Sequence, residues 1–175
     1  MTGPLHDLRV LDLTRILAGP TCTQILGDLG ADIIKIEQTG SGDDTRRFAP
    51  PFIKDKVGND TTESAYFCSS NRNKRSITLN IADAEGQDLA RRLAARSDIL
   101  VENFKFGGLS KYGLSYDQLK DDNPSLVYCS ITGFGHTGPY AERPGYDLLI
   151  QAMGGFMSIT GEPGGEPQKA GIPIA

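Results

Sequence analysis

"RVLDLTRILAGPTCTQILGDLGADIIKIE", residues Arg9 to Glu37, carries the decision about the fold. It begins inside an aliphatic run, Leu8 to Thr14, which is bounded by polar residues and reads as a buried strand. Next, Pro20 suits a first helical turn, Ile25, Leu26 and Leu29 fall on one helical face, and Gly30 suits a C-terminal cap. Ala31 to Glu37 reads as a second strand. Strand, short helix and strand make a βαβ unit, which predicts parallel pairing through a right-handed crossover.

Working outward, residues 38–62 hold Gly40, Gly42, Pro50, Pro51, Gly58 and many charges without usable periodicity. The expectation is one long loop, and loops of that length are usually functional or mobile. Ser64 to Asn80 reads as a turn of helix and then a strand, Arg75 to Leu79. In "DAEGQDLARRLAARSD" an acidic first turn precedes Leu89, Ala90, Leu93 and Ala94 at helical spacing. A strand at Asp98 to Asn103, a capped helix in "SYDQLKDDN" and a strand at Ser125 to Thr132 continue the alternation. A helix in "GYDLLIQAMGG" and a Gly/Pro loop "GEPGGEP" follow, and the terminal "KAGIPIA" looks like a strand or the lead-in to a helix. Strands and helices taking turns predict an α/β fold, a Rossmann-like open parallel sheet with flanking helices. No repeat, low-complexity tail or dividing linker interrupts residues 1–175.

Composition narrows the class. With 38% hydrophobic and 23% charged residues the chain has the make-up of a soluble globular protein with one sizeable core. No apolar run approaches ~18 residues, and the N-terminus lacks a basic stretch followed by an apolar one, which predicts neither a membrane span nor a secretory signal. Cys22, Cys68 and Cys129 are odd in number and form no CxxC; they read as reduced, mostly buried thiols of a cytosol-like compartment. A net charge of −4 argues against non-specific nucleic-acid binding. Within that acidic chain Arg72, Lys74, Arg75, Lys105 and Lys111 form a basic set, either a solvated surface or a site for a phosphorylated ligand.

Other motifs are weaker. "GFGHTG", Gly133 to Gly138, is a literal GxGxxG after a predicted strand, where a dinucleotide pyrophosphate would meet a helix N-terminus. Pro139 and Arg143-Pro144 delay the next helix, and no acid follows at the distance needed to hold a ribose, so a tight glycine turn is the better reading. Glu37 ends the second strand where such an acid could sit, yet Gly19 is the only glycine of the first turn. Ala18-Gly19-Pro20 reads equally as an anion-facing helix start and as a compact corner. His6 and His136 have no partner at ligand spacing, so no metal is expected. There is no GxSxG and no activated cysteine. Asp147 is either a working carboxylate or an acid complementing a helix dipole.

Taken together, "RVLDLTRILAGPTCTQILGDLGADIIKIEQTGSGDDTR", "NRNKRSITLN", "VENFKFGGLSKYGLSYDQL", "YCSITGFGHTGP" and "GYDLLIQAMGGFMSITG" resemble, in this order, the class III CoA-transferases. The resemblance runs from Leu5 to Ala175 and implies the N-terminal part of an enzyme roughly twice this length. It implies an aspartate nucleophile directly after Ala175, acyl-CoA and carboxylate substrates, no permanently bound cofactor, and a homodimer for the full-length protein. The implied compartment is the cytoplasm, or the mitochondrial matrix after loss of a transit peptide. A sheet cut part-way would leave an open edge and uncovered apolar faces, so such a fragment is expected to fold poorly alone.

Carried across residue by residue, the resemblance assigns CoA contacts to Leu17, Ala18, Gln38, Leu79, Asn103, Phe104, Lys105 and Lys111. Leu17 stands where the formyl branch uses a catalytic glutamine, Gln38 and Lys111 where arginines are usual, and Phe106 where proline is common. Tyr146 and Asp147 match the pair lining the acyl end. The related α-methylacyl-CoA racemases have a histidine in place of Tyr146, so tyrosine favours transfer over proton abstraction. "GDDTR", "NRNKRSI" and "YCSITGFG" look closest to the branch acting on succinate and glutarate. A racemase and a nucleotide-binding module without chemistry stand as alternatives.

Overall fold

In a computed structural model describing residues 3–173, the chain forms two compact units, Met1–Ile131 and Thr132–Ala175. The first contains a five-stranded sheet of β1 (Arg9–Asp12), β2 (Asp32–Glu37), β5 (Lys74–Thr78), β6 (Ile99–Glu102) and β7 (Val127–Ser130). Its order is β5-β2-β1-β6-β7, and every pairing is parallel. The α/β architecture expected from the alternation of elements is therefore the one observed.

Side-chain alternation explains the two covered faces. Leu11, Ile36 and Leu100 join a cluster on one side with Ala90 and Ala94 of α3 (Ala84–Ala94). Val10, Ile33 and Val101 join a cluster on the other, against Cys22 and Leu26 of α1 (Ala18–Asp28). Successive strand residues point to opposite faces, so a parallel sheet sandwiched by helices requires such near-continuous apolar runs. The small core-facing residues of α3 allow close approach: a Cβ on Gly86 would lie 1.9 Å from the Asn80 carbonyl oxygen. The helix expected near Asp117 is α4 (Tyr116–Leu119), started by a reciprocal Ser115–Gln118 capping box.

The first helix corrects one expectation. Ile25 is 53% exposed and Leu29 41%, while Gly19, Pro20, Thr23 and Gln24 are buried. The face of α1 that meets the sheet is thus mixed: Leu26 and Cys22 pack on the apolar cluster, while Thr23 and Gln24 are buried beside Asp12, which sits fully buried on β1 and needs partners there. Thr23 donates to Asp12 at 2.6 Å, and Lys74 Nζ reaches both Asp12 (3.2 Å) and the Pro20 carbonyl (2.8 Å).

The expected long loop is also more ordered than its composition implied. A 3₁₀ turn at Asp44–Arg47 precedes an antiparallel hairpin, β3 (Phe52–Lys54) with β4 (Asp60–Ser64), which leads into α2 (Ala65–Ser70). Both strands are short and mostly exposed, so no hydrophobic alternation marks them. The tip is tied by Asp55, which accepts from the backbone of Val57 and of Asn59, both at 2.9 Å.

The thiols are less buried than expected. Cys22 and Cys129 are half-buried, and Cys68 is exposed because α2 turns Phe67 and Ser70 inward instead. Among the described residues no helix is long and apolar enough to cross a membrane.

In the second unit, α5 (Asp147–Met153) buries Gln151 and leaves Leu148, Leu149 and Met153 exposed. The GxGxxG stretch is a glycine turn, with no helix before Asp147. A Cβ on Gly133 would lie 2.2 Å from Gly145 Cα, and Gly135 and Gly138 take φ of 77° and 88°. Close backbone approach at Gly133 and positive φ at Gly135 and Gly138 account for the three glycines of the motif. Of "KAGIPIA", residues 169–173 form neither strand nor helix, and the last two lie outside the described residues. The Ala170 N–H donates to Gln151 Oε1 at 2.9 Å.

Gly19 gives a direct test of the polar docking. An added Cβ would fall 2.3 Å from Thr14 Cβ, and Thr14 is fully buried. Overpacking of about 1–3 kcal/mol should outweigh the ~1 kcal/mol that alanine gains in helix propensity. Gly19→Ala is therefore expected to lower the urea midpoint; an unchanged or higher midpoint would show that the corner has slack.

Candidate functional site

The chain leaves β1 toward β2 on one side, while β6 pairs with β1 on the other. Such a reversal of strand order opens a crevice beyond the carboxyl ends of the strands, the place where open α/β sheets bind ligands. A cleft of about 330 Å³ lies there, lined by Leu13, Thr14 and Arg15 after β1, by Lys35 to Glu37 at the end of β2 and Gln38, Gly42 and Asp43 beyond it, by Leu79 to Ala82 after β5, and by Phe104 and Tyr112 after β6.

The wall at Thr14–Ile16 is held by side chains from elsewhere. Asn103 accepts from the Arg15 N–H at 2.8 Å and donates to its carbonyl at 2.7 Å. Lys35 Nζ donates to the Thr14 carbonyl at 2.7 Å. Asp43 Oδ1 accepts from the Ile16 N–H at 3.3 Å and from Thr45 through its N–H and hydroxyl. Its other oxygen lies 3.0 Å from Lys35 Nζ as a charge contact without hydrogen-bond geometry. Ile16 itself sits at φ 71°, an outlier for a β-branched residue.

Of the buried carboxylates near this wall, Asp12, Glu37 and Asp43 are each paired with a cation, while Glu102 accepts from the Phe104 N–H and from Ser130. Burial alone would raise the Asp43 pKa, but Lys35 and the Thr45 hydrogen bonds hold it below the ordinary value. Glu37 is likewise opposed by burial, yet hydrogen bonds from Arg46, Ser76 and the Asp43 N–H hold it down at about 2. Lys74, paired with Asp12, is pushed down to about 8 by its own burial, against the pull of that carboxylate. In the basic set, Arg72 pairs with Asp28, Arg75 with Asp32 and Lys74 with Asp12, so three of its five cations serve the fold. Lys105 and Lys111 are exposed, with Lys111 Nζ 4.7 Å from the centroid of Tyr112.

Of the residues the resemblance assigned to CoA, Gln38, Leu79 and Phe104 line one cleft. Leu17 and Ala18 start α1 immediately after the held wall, and Leu17 has no side-chain cap. Asn103 spends its amide on Arg15. Tyr146 and Asp147 belong to the second unit, where Tyr146 is exposed and Asp147 accepts from Gln151 at 2.7 Å. Sequence reading missed Arg15, Lys35, Asp43 and Tyr112. A signal was present for two of them: Lys35 interrupts the aliphatic run of β2, and a charge in a buried strand must be matched nearby. Among the described residues no His/Cys/Asp/Glu group could hold a metal ion.

An open parallel sheet with a cleft at its switch point defines the class, and comparison with known proteins defines the family. Residues 5–175 match the model of CoA-transferase family III, and the chain belongs to that family. It is 53% identical to the succinate--glutarate CoA-transferase of Agrobacterium fabrum, over 98% of this chain and 43% of that protein. It is 50% identical to the mouse succinyl-CoA:glutarate CoA-transferase, over 97% of this chain and 37% of that protein. A CAIB/BAIF family protein from Brucella suis superimposes with a TM-score of 0.92 at 58% identity, over 99% of this chain and 45% of that one. The chain thus spans less than half the length of the relatives it matches.

Glu37 makes acid sensitivity a readout of this site. Its pKa falls from 4.5 unfolded to about 2 folded, so its contribution is complete above about pH 5 and is lost as pH falls toward 2. The shift corresponds to about 3 kcal/mol. Glu37→Gln should flatten the fall in urea midpoint over that window; an unaltered slope would mean that other carboxylates carry it.

Proposed function

We propose that the intact protein transfers CoA from an acyl-CoA to a carboxylic acid, with succinate-like dicarboxylates as the substrate class. The observation that carries the proposal is the cleft: Gln38, Leu79 and Phe104, which the resemblance assigns to CoA (Gln38 in place of the usual arginine), come from three separate segments and line one cavity at the switch point. Leu79 and Phe104 offer apolar surface of the kind an adenine would cover. Lys105 and Lys111 supply the positive charge left over for its phosphates. Leu17, Ala18 and Asn103 complete the CoA-binding set, and Tyr146 and Asp147 are assigned to the acyl end from the resemblance alone. The dicarboxylate preference rests on the two glutarate transferases that the chain resembles. A homodimer is proposed on the same family ground.

The proposed nucleophile is an aspartate following Ala175. A carboxylate with a reference pKa of ~3.9 is ionised at neutral pH and needs no general base. It attacks the thioester carbonyl, and the C–S bond breaks to give a mixed anhydride and CoA thiolate. The thiolate then attacks the aspartyl carbonyl, releasing the donor acid and leaving an enzyme-bound CoA thioester. The acceptor carboxylate repeats the first step on that thioester, and the released thiolate takes its acyl group, regenerating the aspartate. Both intermediates hydrolyse readily, so a dry cleft with backbone donors suits this chemistry.

Treating the intact enzyme with succinyl-CoA and then hydroxylamine is expected to leave a hydroxamate on that aspartate, read by peptide mass. An unmodified aspartate in an enzyme that still transfers CoA would overturn the covalent route. Incorporation of solvent deuterium at the α-carbon, without transfer, would identify a racemase instead. Leu79→Asp should weaken CoA binding by about tenfold or more.

A further inference from the structure

The cleft wall contains an arrangement that family membership does not explain. Ile16 lies between β1 and α1 with φ 71°, a strained conformation for a β-branched residue. It persists only if its surroundings over-determine it. Around it, Lys35 takes the Thr14 carbonyl, Asn103 takes both backbone groups of Arg15, and Asp43 takes the Ile16 N–H. Lys35 is 1% exposed and Asp43 1%, each the other's counter-charge at 3.0 Å.

We infer that Lys35 and Asp43 are positioning residues that clamp the left-handed corner at Ile16 and thereby set the Thr14–Arg15 wall of the ligand cleft. Burying an ion pair is a poor way to gain stability, since desolvation offsets most of the attraction. What this pair supplies is direction. Lys35 comes from β2 and Asp43 from the turn after it, so one point on the sheet and one on the turn that follows it bracket the residue whose own preference is to relax. Thr14 and Arg15, on the cleft side of that residue, keep their orientation as a result. The Arg15 guanidinium then stands 5.7 Å from the Phe104 ring centroid and 3.2 Å from Asp44 at the cleft.

The inference rests on the proposal that the cleft takes CoA, and two readouts keep the two separable. The first is a double-mutant cycle on CoA affinity in the intact protein, joining Asp43→Asn with Ile16→Gly. Glycine adopts positive φ without penalty, so it should hold the corner without the clamp. Asp43→Asn in the isoleucine background is expected to weaken CoA by about tenfold, and Ile16→Gly to recover most of that loss. A merely structural role for Asp43 predicts additivity, and additive losses would overturn the inference. The second is amide hydrogen exchange: Asp43→Asn should speed exchange at residues 14–17 while β1, β2 and β6 stay protected, and unchanged exchange there would overturn it. If the unmutated protein binds no CoA, the functional proposal falls and exchange alone judges the clamp. Should Asp43→Asn fail to fold, Lys35→Met, which frees the Thr14 carbonyl, takes its place in both measurements.

Discussion

The sheet of this protein is organised around buried acids and the cations that answer them. Asp12, Glu37 and Asp43 lie at or just beyond the carboxyl ends of β1 and β2, and all three are almost wholly removed from water. A carboxylate in such a place costs several kcal/mol unless it is paired and fully hydrogen-bonded. Lys74 answers the first, Arg46 the second and Lys35 the third. Each cation comes from a different stretch of chain, so meeting the electrostatic demand brings β5, the 3₁₀ turn and β2 to one place. The cleft opens where those stretches converge.

This organisation explains which parts of the molecule were legible in sequence. The central strands β1, β2 and β6 and helix α3 follow from their apolar residues, since both faces of the sheet are covered there, while the edge strand β5 is largely exposed and the edge strand β7 only partly buried. Helix α1 was found, but with its buried face partly misread: of Ile25, Leu26 and Leu29 only Leu26 packs on the sheet, and the rest of that face carries Thr23, recruited with Lys74 by Asp12. Periodicity reports where apolar area goes and is blind to the partners a buried charge selects. The hairpin at 52–64 escaped for a related reason. Its strands are short and solvated on both sides, and its turn depends on one aspartate accepting backbone N–H groups.

The site was legible by a different route. Gln38, Leu79 and Phe104 were assigned by resemblance, and nothing in their spacing marks them as neighbours. Their convergence is a product of topology: each follows the carboxyl end of a strand, and parallel strands present those ends on one edge of the sheet. Arg15 and Tyr112 have the same origin but no chemical peculiarity to distinguish them among surface residues. The charged pair beneath them did carry a signal, since a lysine inside "DIIKIE" is costly wherever the strand is buried on both faces.

Asn103 shows why assignment by family position and assignment by contact must be kept apart. Its amide already has an acceptor and a donor engaged with the Arg15 backbone. Whatever it offers a ligand is therefore secondary to holding the wall, and its effect on binding would pass through Arg15. The same logic reaches the strained residue next to it. A corner fixed by a neutral amide on one side and a buried ion pair on the other cannot drift without breaking the Lys35 bond to the Thr14 carbonyl, which is buried away from solvent. The left-handed isoleucine is thus tolerated because the surrounding charges leave it no cheaper alternative, and the rigidity that buried charge demands is passed on to the cleft.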